Sequence, residues 1–218
     1  MVKTRQIFVM ISRTDTGIAK LIRRVSRYPY NHVSLTLDPS LRQWYSFARY
    51  VQDAPFYSGF IREPVERFLA GEGDAQVRIF RLEIPASQAQ ELEQLCRQAG
   101  KDDSGLIYNL FDAAASGIGW SLPLPEAHTC LSFACSVLGR EHRNIQSLSE
   151  ALEPWLIYEG SLAALVPDSG SREDIYFTQI GLLSGTLKSL KQFGILTFRL
   201  MRTSFSSYMA HRFHRTAQ

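Results

Sequence analysis

Hydrophobic and polar positions in the first half of the chain fall mostly into periods of two. Gln6 to Ile11 (QIFVMI) is a near-continuous apolar run, the pattern of a buried strand. Asn31 to Leu37 alternates, with Val33, Leu35 and Leu37 on one face and His32, Ser34 and Thr36 on the other, which predicts a half-buried strand. Asp38-Pro39-Ser40 makes a turn, and Gln43 to Arg49 (QWYSFAR) returns as the second strand of a hairpin. Gln76 to Ile84 repeats the strand pattern through Val77, Ile79, Phe80 and Leu82. Residues 51–75, interrupted by Gly59, Pro64, Gly71 and Gly73, read as irregular.

Other segments follow the helical period. Thr16 to Arg27 places Ile18, Leu21, Ile22 and Val25 on one stripe, with Asp15 or Thr16 as N-cap and Pro29 as terminator. Ser87 to Gln98 carries Ala89, Leu92, Leu95 and Cys96 on its apolar side, and Ser87 with Gln90 has the spacing of a capping box. Residues 101–128 read as loop and short helix. Thr129 to Leu138 predicts a helix with Leu131, Ala134, Val137 and Leu138 inward, and Ser147 to Leu152 a shorter one. Leu162 to Pro167 reads as a last strand or extended edge. Gln179 to Met201 is a long amphipathic stretch weakened by Gly181, Gly185 and Gly194.

Composition narrows the classes. A chain of 218 residues makes one large domain, or one domain and an appendage. The net charge of +3 is too small to indicate nucleic acid. The charge is unevenly placed, however. Residues 170–218 hold seven Lys or Arg against Glu173 and Asp174, so this segment is read as a basic amphipathic extension to a domain spanning residues 1–169. It is either a helix packed on the domain or a docking element for a membrane surface or a protein partner. Three cysteines, at 96, 130 and 135, do not make a disulfide framework or a zinc site. Neither a signal-peptide core nor an 18-residue apolar span is visible, so the expected location is cytoplasmic, with membrane association through the extension left open. No cofactor or metal is expected.

Cys130 draws attention by position. Pro123 and Pro125 precede it, and Thr129 can cap the helix, which sets the sulfur in the first helical turn. Unpaired N–H groups and the helix dipole favour a thiolate there, and the same N–H groups can donate to an oxyanion. By position alone a buried structural cysteine is the competing reading, as it is for Cys135 and Cys96. Of the five histidines, His32 lies on the polar face of its strand and can meet a helix terminus across a cleft. His128 is too near Cys130 in sequence to act as its base and reads as cleft wall or surface. His142 reads as solvated, and His211 and His214 belong to the basic tail. For the group that orients His32, Ser46 has the right parity on the adjacent strand; Tyr45 or a backbone carbonyl are the alternatives.

Three runs together carry a resemblance: Pro29-Tyr30-Asn31-His32-Val33-Ser34-Leu35, then Trp44-Tyr45-Ser46-Phe47-Ala48-Arg49, then Thr129-Cys130-Leu131-Ser132-Phe133-Ala134. In that order they resemble the permuted NlpC-type branch of papain-like cysteine hydrolases, the branch with YiiX-like and YebB-like proteins, over roughly residues 6–166. The resemblance implies an α+β fold with a small antiparallel sheet packed on helices, followed here by a helical C-terminal extension. It implies an amidase, peptidase, esterase or acyltransferase working through an acyl-enzyme on Cys130, with His32 as general base and Ser46 as third residue. Tyr30, Asn31, Tyr45 and Thr129 are the expected substrate-binding residues. The expected substrate is a small molecule, peptide or lipid with an amide or ester bond. The rival reading is a non-catalytic binding module that keeps the fold and docks by its basic tail.

Overall fold

The computed structural model describes residues 3–14, 27–51, 54, 57–69, 74–101, 105–116, 122–166 and 181–216. Its frame is one eight-stranded sheet in the order β7-β6-β4-β3-β2-β1-β5-β8. The strands are β1 (Thr4–Ser12), β2 (His32–Thr36), β3 (Gln43–Arg49), β4 (Ser58–Pro64), β5 (Gln76–Pro85), β6 (Ile107–Tyr108), β7 (Ala127–His128) and β8 (Leu156–Ser161). The helices are α1 (Val65–Leu69), α2 (Ala86–Cys96), α3 (Leu110–Ser116), α4 (Cys130–Leu138), α5 (Ile145–Leu152), α6 (Leu162–Leu165) and α7 (Leu182–Thr216). This is an α+β architecture. Its sheet is larger than the expected small antiparallel one, and it is mixed, because β6 and β7 run parallel.

The central strands are apolar in sequence because both faces of the sheet are covered. On one face Ile7, Val9, Val33, Leu35, Phe47, Phe60 and Phe80 pack against Ala89 and Leu92 of α2, Phe133 and Ala134 of α4, and Leu148 and Leu152 of α5. On the other, Phe8, Met10, Trp44, Val77 and Ile79 pack against Val65 and Phe68 of α1 and Leu162 of α6. For this reason β2, read from its alternation as half-buried, is buried along its whole length. Its polar residues His32, Ser34 and Thr36 face a second layer, not water.

Several elements depart from the sequence reading. The segment read as irregular holds β4 and α1. Gly59 interrupts the apolar pattern there because the chain passes close to its neighbours: a Cβ at that position would lie 2.8 Å from the Leu106 carbonyl oxygen and collide with the Tyr50 hydroxyl. The final strand is β8; Leu162 to Leu165 is helical, capped by Ser161, whose side chain accepts from the Ala164 N–H. No capping box forms at α2, since β5 runs into the helix at Pro85 and the Ala86 N–H donates to the Lys3 carbonyl at 2.9 Å. The expected helix over Thr16–Arg27 lies almost wholly outside the described residues.

α7 packs on the body. Leu196 is buried with Ile107, Leu124 and Ala127. Gln192 accepts from the Ser58 N–H at 2.8 Å, and Arg199 donates to the carbonyls of Gly105, Pro125 and Glu126 at 2.9–3.1 Å.

Candidate active site

α4 begins with a full capping box. Thr129, in extended backbone, accepts from the Ser132 N–H at 3.1 Å, and the Ser132 hydroxyl accepts from the Thr129 N–H at 2.9 Å. Cys130 is therefore the first helical residue. The N–H groups of Cys130 and Leu131 stand outside the intrahelical ladder by construction, as the first donors of any helix do. The inward side of α4 is Cys130, Phe133, Ala134 and Cys135. Leu131, Val137 and Leu138, expected inward, are half-buried, because the helix is rotated to bring Phe133 onto Phe47 and Phe60 at ring distances of 5.4 and 5.0 Å.

The loop that delivers Cys130 is held by buried polar groups. The Asn109 N–H donates to the His128 carbonyl at 3.0 Å, and the Asn109 amide donates to the Leu122 carbonyl at 2.8 Å. Asp112 accepts from the Leu122 N–H at 2.8 Å. His128 packs its ring on Phe47 at 5.3 Å, and burial lowers its pKa against the pull of Asp112. Its ring also lies 6.4 Å from that of Phe133.

His32 opens β2, and the Cys130 side chain lies near enough to its ring to help raise its pKa. Its Nε2 faces a carboxylate: Glu63 of β4 lies with Oε2 at 2.9 Å and Oε1 at 3.2 Å. That leaves Nδ1 as the nitrogen for the sulfur. Register explains the meeting, since Glu63 pairs with Trp44 on β3 and so shares the sheet face of Ser46, Ser34 and His32. Glu63 Oε2 also accepts from Ser34 at 2.8 Å and from Ser46 at 2.5 Å. Three donors converge on one buried oxygen, an arrangement that requires the carboxylate form.

The titration of the pair follows. Burial disfavours charge on His32, but the Glu63 carboxylate and the nearby Cys130 side chain outweigh it and raise the histidine pKa well above 6.5. Burial likewise penalises the Glu63 carboxylate, but His32, then Arg67 and Ser46, hold its pKa well below 4.5. The two groups form a buried imidazolium–carboxylate pair with its hydrogen bonds filled, the condition under which such a pair persists. Phe68 of α1 lies 6.2 Å from the His32 ring and helps to exclude water from this side. Tyr108 of β6 is another titratable neighbour of Cys130. Burial, then the sulfur and Asp112, push its phenol pKa up, so it stays a neutral hydroxyl.

The structure thus brings Cys130, His32 and Ser46 together. It adds Glu63 to the role expected of Ser46. That hydroxyl lies 3.2 Å from His32 Nε2, but it donates to Glu63 and holds the carboxylate, which is the nearer partner of the ring. Glu63 was missed in the sequence. The signal lay in the face itself: His32, Ser34 and Ser46 are donors on one buried face and need a common acceptor.

The expected substrate-binding set is also redistributed. Asn31 is buried and exchanges hydrogen bonds with Thr14, at 3.0 and 2.6 Å, to tie the start of β2 to the end of β1. The Thr129 side chain is occupied by the cap. Tyr30 donates to Glu159 of β8 at 3.3 Å, and Tyr45 stacks on Phe60 on the face opposite Ser46. Among the described residues no three His, Cys, Asp or Glu side chains gather as a metal-binding group.

Comparison with family models, curated proteins and solved structures finds no match to this chain.

Proposed function

We propose that the chain is a permuted papain-like (NlpC-type) cysteine hydrolase that cleaves an amide or ester through an acyl-enzyme, with Cys130 as nucleophile, His32 as general base and acid, and Glu63 as the group that orients and charges His32. One observation carries the reading: a buried histidine held between a helix-terminal cysteine and a carboxylate whose remaining acceptor capacity is filled by two serines. A nucleophile, a base and an orienting acid in that order make up the catalytic unit recognised by geometry, independent of chain order.

In the proposed cycle the sulfur attacks the carbonyl carbon as a thiolate paired with the His32 imidazolium. The N–H groups of Cys130 and Leu131 donate to the resulting oxyanion. The imidazolium returns its proton to the leaving amine or alcohol, and a thioester remains on Cys130. Water, deprotonated by the now neutral His32, attacks the thioester, releases the acid and restores the thiolate–imidazolium pair. Glu63 stays ionised throughout and keeps Nε2–H pointing away from the sulfur. Ser46 and Ser34 act on Glu63, and through it on the ring.

A second reading, the non-catalytic module, is favoured by one observation: Cys130 and His32 are each only 8% exposed. A screen of nitrophenyl esters and anilides separates the two. The hydrolase shows a burst of one product equivalent per chain, absent in Cys130→Ala and reduced by about 100-fold or more in His32→Ala. Turnover that survives Cys130→Ala removes the hydrolase reading.

A further inference from the structure

α7 has a buried side and, opposite it, an exposed apolar one. One side, through Gly185, Gln192 and Leu196, is buried on the body. The other is open: Leu183 is 82% exposed, and Leu187, Leu190, Phe198 and Met201 are each more than 60% exposed. The positions 183, 187, 190, 198 and 201 fall on one stripe of a straight helix. From Leu183 to Met201 that stripe is roughly 27 Å long, at a rise of about 1.5 Å per residue. Exposed apolar stripes of this length mark contact surfaces.

Charge decides among occupants. Residues 182–216 contain six Lys or Arg and no Asp or Glu. Arg199 is turned inward to Glu126, and Lys188 rests over the Tyr57 ring at 4.7 Å. Lys191 and Arg202 are exposed and flank the apolar stripe on one side. A second copy would oppose cation to cation along such a stripe. An anionic bilayer surface offers hydrocarbon to the leucines and phosphate to the flanking cations, which reach outward on their long stems. No described helix is long and apolar enough to cross a membrane.

We propose that the outer face of α7 docks the protein in the plane of an anionic membrane surface. The docked helix reaches the approach to Cys130 directly. Arg199 clamps the carbonyls of Pro125 and Glu126, and Leu196 packs on Leu124 and Ala127, all just before the nucleophile. The inference stands on the surface of α7 and is independent of the chemistry at Cys130.

The test is co-sedimentation of the full chain with phosphatidylcholine vesicles, with and without phosphatidylglycerol. The expected result is pelleting with the anionic vesicles, weakened by salt. Leu187→Glu combined with Phe198→Glu lowers the partition coefficient by more than about tenfold. Lys191→Gln or Arg202→Gln lowers it by about fivefold each. These side chains are exposed, so the variants keep the melting temperature of the parent, which serves as the folding control. A chain that stays in the supernatant with anionic vesicles overturns the proposal, as does pelleting that the paired Glu variant leaves unchanged. A dimer in sedimentation velocity that the same variant dissociates assigns the stripe to a second copy and overturns it equally.

Discussion

Replacing Glu63 by Gln removes one charge and keeps the shape, so it isolates what the carboxylate does. Glu63 is 3% exposed and its Oε2 receives His32, Ser34 and Ser46. In the variant the imidazolium loses its counter-ion while remaining buried, and breaking a buried pair from one side costs about 3–5 kcal/mol. The amide oxygen still accepts hydrogen bonds, which puts Glu63→Gln near the lower end, about 3 kcal/mol. For a chain of this size that lowers Tm by roughly 6–12 °C near pH 6. The pH dependence carries a sign. The folded pKa of Glu63 is depressed, so its contribution is whole above the ordinary value of 4.5 and is lost as pH falls toward the folded value. The folded pKa of His32 is raised, so its contribution is whole below 6.5 and fades as pH rises toward the folded value. The excess Tm of the parent over Glu63→Gln is therefore greatest between pH 4.5 and 6.5 and shrinks on both sides. Scanning calorimetry across pH 3 to 10, with the rate of iodoacetamide alkylation of Cys130 measured alongside, reads both effects. The alkylation rate at pH 6 falls at least about tenfold once the imidazolium is no longer held. Equal Tm values at pH 6, or equal alkylation rates, would refute the pairing.

Two smaller perturbations test the supports of the site. Ser46→Ala removes the shortest donor to Glu63; it costs about 1.5–3 kcal/mol, the range for a hydrogen bond to a charged group, read as a lower denaturant midpoint. It also shifts the alkylation pH profile of Cys130, which loss of packing alone would leave in place. Thr129→Val removes the side-chain half of the α4 cap and costs about 1 kcal/mol, with faster amide exchange confined to the first turn of α4.

What the sequence disclosed and what it hid have separate physical causes. The strands β1, β2, β3 and β5 were legible because each keeps a run or alternation long enough to show its period. The start of α4 was legible because Thr129 is a strong cap placed just before an apolar run. β4 was hidden. Its Gly59 records a close approach to Tyr50 and Leu106, its Pro64 ends the strand, and Glu63, the buried counter-ion of His32, stands in a stretch without visible period. Burial of β2 on both faces was likewise hidden, because its polar face is covered through hydrogen bonds to a residue 31 positions away. A carboxylate recruited across the sheet leaves no local pattern; only the unmet donors of Ser34, Ser46 and His32 point to it. The extension resolves along the same line. Its amphipathic period was legible, but only packing shows that the side holding Leu196 and Gln192 is buried while the leucine side that exposes Leu187 is open.

Peptide mapping by mass spectrometry after brief reaction with an activated acyl ester tests the catalytic unit most directly. The unit of Cys130, His32 and Glu63 predicts one acyl-thioester, on the peptide that begins α4, present in the parent at pH 6 and lost in His32→Ala. Acylation spread over Cys96 and Cys135 as well, or undiminished on Cys130 when His32 is removed, would contradict it.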